Sequence, residues 1–149
     1  PFKIKVVGRT QQFVNIAGEE VMIGHIEKAL KVATKKCNCQ VAEFTVSAVF
    51  EKNNKSIGYH LWLIEFLKRP ICIIDFSTIL DLELQKINVD YKAKRNNNSP
   101  LKKLNIKELK KQTFYKWLKS HDKLSGQSKI PRINNNLNDV DEILQINNT

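Results

Sequence analysis

The chain has 149 residues and a formal net charge of +10, which is the size of one domain with its own hydrophobic core. It contains no run of eighteen apolar residues and no signal-type segment, so the sequence predicts a soluble, cytoplasmic protein without a membrane-spanning helix. It begins at Pro1 without a methionine, and we therefore expect it to be part of a longer protein.

The excess positive charge lies in one segment of the chain. Residues 90–132 contain thirteen Lys and Arg against three Asp and Glu, whereas the rest of the chain contains twelve of each. A positive field of this kind favours an anionic partner, which can be nucleotide phosphates, nucleic acid or an acidic protein surface. All three partners stay open at this point.

The cysteine content argues against a metal site. Cys37, Cys39 and Cys72 are an odd number, and the Cys-Asn-Cys run does not have the paired spacing of a zinc site. We therefore expect reduced thiols, as is typical of a cytosolic protein, and no metal ligands.

The first half of the chain predicts two hairpins separated by a helix. Alternating apolar and charged residues indicate a hairpin formed by residues 2–7 and 13–16. An apolar stripe at helical spacing follows, and its members are Ile23, Ile26, Leu30, Ala33 and Cys37. Residues 41–50 and 59–66 are rich in β-branched and aromatic residues, which predicts a longer hairpin with apolar side chains on both faces.

A second helix is predicted after Pro70. Its apolar stripe consists of Phe76, Leu80, Leu84 and Ile87. Asp75 or Ser77 is the expected N-cap, and Asn88 is expected to end the helix. Residues 90–95 are interpreted as a charged tail that leads into a loop.

Two further helices are predicted near the end of the chain. An amphipathic pattern over residues 106–118 places apolar side chains at helical spacing with lysines between them. Residues 138–144 predict a short closing helix with acidic residues at its favourable N-terminal end. Together, the elements predict an α+β fold, in which a small, mostly antiparallel β-sheet is flanked by α-helices on both faces.

His60 is the most visible candidate for acid–base chemistry among the predicted strands. Its unperturbed pKa suits proton transfer near neutral pH. A lone histidine in a strand is nevertheless more often a hydrogen-bonded structural residue, and we interpret His60 in that way.

A basic loop follows the aromatic helix, with the sequence Lys123-Leu124-Ser125-Gly126-Gln127-Ser128-Lys129-Ile130-Pro131-Arg132. Pro131 disfavours a helix here, and Gly126 lets backbone N–H groups approach an anion closely. Lysine carries a point charge on a long stem. The loop therefore suits a phosphate group, and a solvated basic turn is the alternative.

Four groups of residues occur in an informative order along the chain. They are Gly8-Arg9-Thr10 with Phe13-Val14-Asn15 and Gly18-Glu19-Glu20-Val21, then residues 58–66, then residues 80–95, and last Phe114-Tyr115-Lys116-Trp117-Leu118 with the basic loop. Each group alone is a weak signal. In this order and over nearly the whole chain, they resemble the C-terminal domain of the auxin-responsive acyl-acid amido synthetase family. That family belongs to the acyl-adenylate-forming superfamily, with firefly luciferase and the acyl-CoA ligases.

The resemblance implies an ATP-dependent ligase of two domains that adenylates a carboxylic acid and transfers the acyl group to an amino acid amine. Residues 1–149 would be its mobile C-terminal domain, inactive alone. A large N-terminal domain, absent from this chain, would bind most of the ATP, the Mg²⁺ and the acid. The implied partners are that domain, a small carboxylic acid and an amino acid, and no membrane.

The resemblance also implies which residues act in the hinge and in adenylation. Gln11 takes the hinge position, where the superfamily usually has Asp or Lys. Lys129 matches the lysine of the late Ser-Gly-Lys-Ile-x-Arg motif, with two residues inserted before it, and Lys123 is the second candidate.

Five more residues receive roles in substrate binding. Arg9, Gly126 and Arg132 are expected to contact the nucleotide. Glu19 or Glu20 is expected to hold the entering amine or to accept its proton, since a carboxylate can do either. A surface ion pair is the alternative for Arg9, and a solvated turn is the alternative for the two acids.

Two other functions stay open beside the ligase. One is a basic nucleic-acid-binding module that uses residues 90–132, with Tyr91 and Tyr115 stacking on bases. The other is a domain that only binds a protein. Tight binding to oligonucleotides with a steep salt dependence would favour the nucleic-acid-binding module, which we consider less favoured than the ligase.

Overall fold

The computed structural model describes residues 13–121 and 129–149. Within these ranges the chain forms five β-strands and five α-helices, which is the α+β fold class that the sequence predicts. The strands are β1 (Phe13–Val14), β2 (Val21–Met22), β3 (Gln40–Phe50), β4 (Gly58–Lys68) and β5 (Asn105–Leu109). The helices are α1 (Ile23–Lys36), α2 (Ile73–Ile87), α3 (Val89–Lys94), α4 (Thr113–Ser120) and α5 (Leu137–Asn147).

A three-stranded sheet of order β3-β4-β5 forms the centre of the domain. β3 and β4 are an antiparallel hairpin, as predicted, with the register fixed by pairs such as Ala48 with His60. β5 lies parallel to β4, which makes the sheet mixed. On the other side of β3, Ile133 forms an isolated parallel bridge with Val46.

Helices cover both faces of this sheet, as the apolar pattern of β4 predicts. Successive side chains of a strand point to opposite faces, so Trp62 and Ile64 join one core while Leu63 joins the other. The first core contains side chains of α1 and α2, and the second contains side chains of α4 and α5. None of the described helices is long and apolar enough to cross a membrane.

The prediction of one helix over residues 106–118 is wrong in its first part. Residues 105–109 are strand β5, whose backbone pairs with β4 from Leu61 to Glu65. Strand pairing with an available neighbour outweighs the modest helix propensity of these residues. α4 then begins only at Thr113, after Gln112 adopts a left-handed conformation with φ of 73°.

Two predictions around α2 also need correction. The helix begins at Ile73, and its N-cap is Cys72, without a side-chain cap, and not Asp75 or Ser77. Asp75 lies inside the first turn, where its negative charge interacts favourably with the helix dipole. Asn88 does end α2, as predicted. The residues that were interpreted as a charged tail form α3 instead, because the Asn88 side chain accepts a hydrogen bond from the Tyr91 N–H at 2.8 Å and caps this new helix.

The first predicted hairpin lies only partly in the described ranges. β1 pairs with β2 in a small antiparallel sheet of two strands. Residues 2–7, the predicted partner of residues 13–16, lie outside the described residues. The two-stranded sheet places the Asn15–Glu20 turn against the start of β4, where Ile16 approaches Gly58.

Candidate functional site

Half of the predicted site residues can be located in the structure. The described ones are Glu19, Glu20, Lys129 and Arg132. Those outside the described residues are Arg9, Gln11, Lys123 and Gly126. The roles predicted for the latter four stay predictions.

The segment after Lys129 is fixed to the central sheet. Ile130 is 5% exposed and packs in the core formed by α4 and α5. The carbonyl of Pro131 accepts a hydrogen bond from the Thr45 hydroxyl at 2.7 Å, and Lys129 itself is exposed. A lysine without an ion pair among the described residues therefore stands at the start of a backbone that β3 holds in place.

Arg132 is engaged by groups of its own domain. Its guanidinium forms an ion pair with Glu43 and lies 4.6 Å from the ring centroid of Phe44, which is a cation–π contact. Phe44 in turn stacks on Trp62. Arg132 thus stabilises the segment beside the candidate lysine, and its predicted contact with the nucleotide stays a prediction.

Two open cavities flank this segment. One, of about 560 Å³, is lined by Pro131, Ile133, Asn134, Asn135, Asn136 and Asp139. The other, of about 300 Å³, lies near Ile130, Glu43 and Glu65. The Glu65 carboxylate beside the second cavity is hydrogen-bonded within the domain, because it accepts from the N–H groups of Gln112 and Phe114 at 2.8 Å each.

Glu19 is the most enclosed carboxylate of the predicted site. It is 1% exposed. Its carboxylate accepts hydrogen bonds from the N–H groups of Ile16 at 2.6 Å and Ala17 at 2.8 Å. The His60 Nε2 lies 2.7 Å from the same oxygen that Ile16 contacts. Three donors therefore surround a carboxylate that has no open path to solvent.

These contacts keep Glu19 ionised. Burial alone would raise the pKa of the Glu19 carboxyl, but the hydrogen bonds from His60 and from the Ala17 N–H outweigh burial, and the pKa lies below its ordinary value. A buried carboxylate of this kind is a hydrogen-bond acceptor and not a base for a substrate. His60 is hydrogen-bonded inside the core, in agreement with its interpretation as a structural residue.

Glu20 has the opposite environment. Its side chain is exposed, and its backbone has a positive φ of 42°. Gly18 also has a positive φ, of 106°, and the Asn15 side chain accepts hydrogen bonds from the N–H groups of Gly18 and Glu20 at 2.9 and 3.0 Å. Of the two predicted acids, only Glu20 presents its carboxylate to solvent.

A second buried network lies next to this turn, and the sequence analysis did not find it. Asp81 of α2 accepts hydrogen bonds from the Tyr91 hydroxyl at 2.5 Å and from the Arg95 guanidinium at 2.8 and 2.9 Å. Desolvation and the neighbouring Asp81 carboxylate raise the pKa of Tyr91 well above its usual range. Asp81, Tyr91 and Arg95 all lie in residues 80–95, the third group of residues on which the family resemblance rests. Membership of that group was the signal in the sequence that could have pointed to this network.

Burial of this network bears on the nucleic-acid-binding alternative. Tyr91 is 0% exposed and its hydroxyl is bound to Asp81, so it cannot stack on a base. Tyr115 is 49% exposed. The prediction that Tyr91 stacks on a base is therefore wrong.

In the segment of residues 129–134, hereafter the lysine segment, Ile130 lies on the opposite face of the sheet from the Glu19 turn, whereas Ile133 lies on the same face as that turn. Ile130 packs in the core with Leu63, whereas His60 shares the face of Trp62, since both have the same parity along β4. In the described ranges, no three His, Cys, Asp or Glu side chains form a group that could hold a metal ion. The described cysteines, Cys37, Cys39 and Cys72, are free thiols.

Comparison with known proteins gives one family and one fold. The model of the GH3 family C-terminal domain matches residues 24–138. No curated protein matches the chain.

Two solved structures share the fold. A GH3.15 acyl acid amido synthetase superposes with a TM-score of 0.69 and 17% sequence identity, over 93% of this chain and 26% of that one. The AtGH3.15 acyl acid amido synthetase in complex with 2,4-DB superposes with a TM-score of 0.70 and 15% identity, over 89% of this chain and 25% of that one. The chain thus spans about a quarter of the length of these proteins.

Proposed function

Because the chain belongs to the GH3 family through its C-terminal domain, we propose that it is the mobile domain of an ATP-dependent ligase. The ligase adenylates a carboxylic acid and joins the acyl group to the amine of an amino acid. The observation that supports this most is the family match over residues 24–138. The solved proteins of similar fold are named acyl acid amido synthetases, and the remaining three quarters of such a protein would hold most of both substrates.

Lys129 is the proposed adenylation lysine. When a carboxylate attacks the α-phosphate of ATP, negative charge accumulates on the phosphoryl oxygens and on the departing pyrophosphate. A cation held beside these oxygens lowers the barrier electrostatically. Lys129 suits this role because its side chain is exposed while the following backbone is fixed by Thr45 and Val46. Lys123 is the second candidate.

The other nucleotide contacts are assigned by residue type. Arg9 is proposed to pair with a phosphate or with the ribose, and the backbone N–H groups near Gly126 are proposed to approach a phosphate. Arg132 carries five N–H donors, so it can contact a nucleotide if its pair with Glu43 opens in part. Mg²⁺, held mainly by the N-terminal domain, would supply further charge neutralisation at the phosphates.

Glu20 is the proposed residue of the amide-forming step. An amine must lose a proton before or as it attacks the acyl-adenylate carbonyl, and an exposed carboxylate can hold the ammonium or accept that proton. Glu20 is exposed, whereas Glu19 is enclosed by three donors. We therefore assign the contact with the amine to Glu20 and a structural role to Glu19.

The separation of these groups favours a domain that turns between two poses. Ile130, next to Lys129, packs on the α4 and α5 side of the sheet, and the Glu19 turn lies on the side of Trp62. One rigid orientation would not present both faces to one bound nucleotide. Rotation about a hinge at Gln11 would present Lys129 in the first step and Glu20 in the second. The proposed location is the cytoplasm, where ATP and amino acids are abundant.

The experiment measures exchange of labelled pyrophosphate into ATP by the full-length protein. A panel of carboxylic acids that begins with 2,4-DB identifies the acid. We expect Lys129→Ala to lower the acid-dependent exchange by about 10² to 10³. The control Lys119→Ala changes an exposed lysine of α4 and leaves the exchange rate unchanged. Exchange at the parental rate in the Lys123→Ala, Lys129→Ala double variant would rule out the proposed chemistry.

A further inference from the structure

We propose that His60 is a positioning residue for the amide-forming step, because its bond to Glu19 holds the Asn15–Glu20 turn in the shape that directs Glu20 toward the amine. The inference rests on the proposed function, since it requires that Glu20 meets the amine. It assigns a role to a buried pair that the adenylation step does not use.

The first step of the argument is that His60 has a fixed position. It lies on β4 directly opposite Ala48 of β3, and it is 1% exposed. Its ring centroid is 5.7 Å from that of Tyr91, and the Tyr91 hydroxyl is bound to Asp81. The direction of the His60 Nε2 is therefore set by the sheet on one side and by α2 and α3 on the other.

The second step is that Glu19 is held at both its side chain and its backbone. His60 Nε2 contacts the carboxylate at 2.7 Å, and the Asn88 side-chain amide donates to the Glu19 carbonyl at 3.0 Å. The carboxylate also gathers the N–H groups of Ile16 and Ala17. One buried side chain thus joins the turn to β4 and to the start of α3.

The third step concerns the residue that follows. Glu20 has a φ of 42°, a conformation that costs a residue other than glycine on the order of 1 kcal/mol and persists only where the surroundings impose it. The surroundings are Glu19 on one side, β2 on the other, and the Asn15 side chain that binds the Glu20 N–H. Without the His60 donor, Glu19 would be a buried carboxylate lacking one partner and would move toward water. The Glu20 side chain would then no longer be directed toward the amine.

The fourth step is that the lysine segment does not depend on these bonds. Its backbone is held by Val46, which donates to the Arg132 carbonyl at 2.9 Å and accepts from the Asn134 N–H at 2.9 Å. Those bonds lie at the edge of β3 and do not involve His60 or Glu19. A change at His60 should therefore affect the two half-reactions unequally.

The experiment compares His60→Leu and His60→Gln in the full-length protein. Leucine removes the donor, whereas glutamine keeps an N–H donor on a side chain of similar reach. We expect His60→Leu to lower the rate of amide formation by about 10 to 10² fold, as small misplacements of reacting groups do. Pyrophosphate exchange should stay within about twofold of the parent, and His60→Gln should recover most of the amide formation.

Three further variants make the result specific. His121→Gln alters the histidine that directly follows α4 and pairs with Glu142 of α5, and it should leave both rates unchanged. Asn15→Ala removes the other support of the Glu20 N–H and should reproduce the selective loss, which keeps the inference testable if His60→Leu does not fold. In a Glu20→Ala background, His60→Leu should lower amide formation by less than about twofold more, because residues that act as one unit are not additive.

The outcomes separate the two proposals. A parent protein without acid-dependent pyrophosphate exchange would contradict the proposed function. A parent that exchanges pyrophosphate, while His60→Leu and Asn15→Ala lower both half-reactions equally or neither, would contradict only the role of His60. A full additional loss in the Glu20→Ala background would do the same.

Discussion

Val46 on β3 bonds to both sides of Ile133. Its N–H donates to the Arg132 carbonyl and its carbonyl accepts from the Asn134 N–H, each at 2.9 Å. The two residues thereby form the parallel bridge that extends the sheet beyond β3. The position of Lys129 relative to the domain is consequently set by strand pairing four residues later in the chain.

The pair of Arg132 and Glu43 next to this bridge can be tested by a double-mutant cycle. Both side chains are more than a third exposed, at 39% and 35%, so solvent screening limits the coupling to about 0.5–1 kcal/mol of unfolding free energy. We expect Arg132→Ala, Glu43→Ala and the double variant to show this coupling in urea unfolding. In the exchange assay, Arg132→Ala should lower the rate more than Glu43→Ala. Equal rates in the two variants would assign Arg132 to structure alone.

Gly58 is predicted to be intolerant of a side chain. A Cβ atom at this position would lie 2.1 Å from the Val49 carbonyl oxygen and 3.0 Å from the Phe50 Cα. Because both are backbone atoms of the paired strand, Gly58→Ala should lower the free energy of unfolding by about 2 kcal/mol or more. Urea unfolding followed by tryptophan fluorescence measures the change.

Gly24 is the matched control for Gly58. It lies in α1, and a Cβ atom there would meet nothing within 4 Å. Gly24→Ala should therefore raise the free energy of unfolding by about 0.5–1 kcal/mol through helix propensity. A loss at Gly24 as large as the loss at Gly58 would contradict the packing described for the start of β4.

The Glu19 carboxylate should make the free energy of unfolding depend on pH in the acidic range. Its pKa in the folded protein lies below the usual value of about 4.3 for glutamate, so the unfolded chain takes up a proton first as the pH falls. The stabilisation is fully present above about pH 5 and is lost as the pH falls through the folded pKa. As the pH is lowered below about 5, the free energy of unfolding of the parent should thus fall more steeply than that of Glu19→Gln.

Other carboxyls do not confuse this comparison. Hydrogen bonds from Lys86 and Trp117 lower the pKa values of Glu83 and Glu142, respectively. Both residues are present in the parent and in the variant, so their contributions cancel in the difference. Parallel curves for the two proteins in urea unfolding at several pH values would show that Glu19 is not held as described.

The elements that the sequence predicts correctly have strong local patterns. α1 and α2 have apolar stripes at helical spacing, and β3 and β4 are rich in β-branched and aromatic residues. β5 has no such pattern, because its five residues mix helix and strand formers and the choice is made by pairing with β4. Local sequence therefore indicates the hairpin and the main helices, whereas the parallel strand depends on contacts distant in the chain.

The same distinction applies to the candidate site. The basic loop and the two acids are visible as residue types, but the difference between Glu19 and Glu20 is not, because it depends on a histidine 41 positions later than Glu19. The network of Asp81, Tyr91 and Arg95 is likewise a product of packing between α2 and α3. Motifs locate candidate residues, and tertiary contacts decide which of them can reach a substrate.

The late bridge at Ile133 has a consequence for synthesis on the ribosome. β3 is made well before the residues that occupy its outer edge, which follow much later in the chain. Until then, the nascent chain exposes a row of unpaired backbone groups, which is a template for association with other chains. A chaperone that shields strand edges during translation would raise the yield of folded protein. A chain truncated before residue 131 would aggregate.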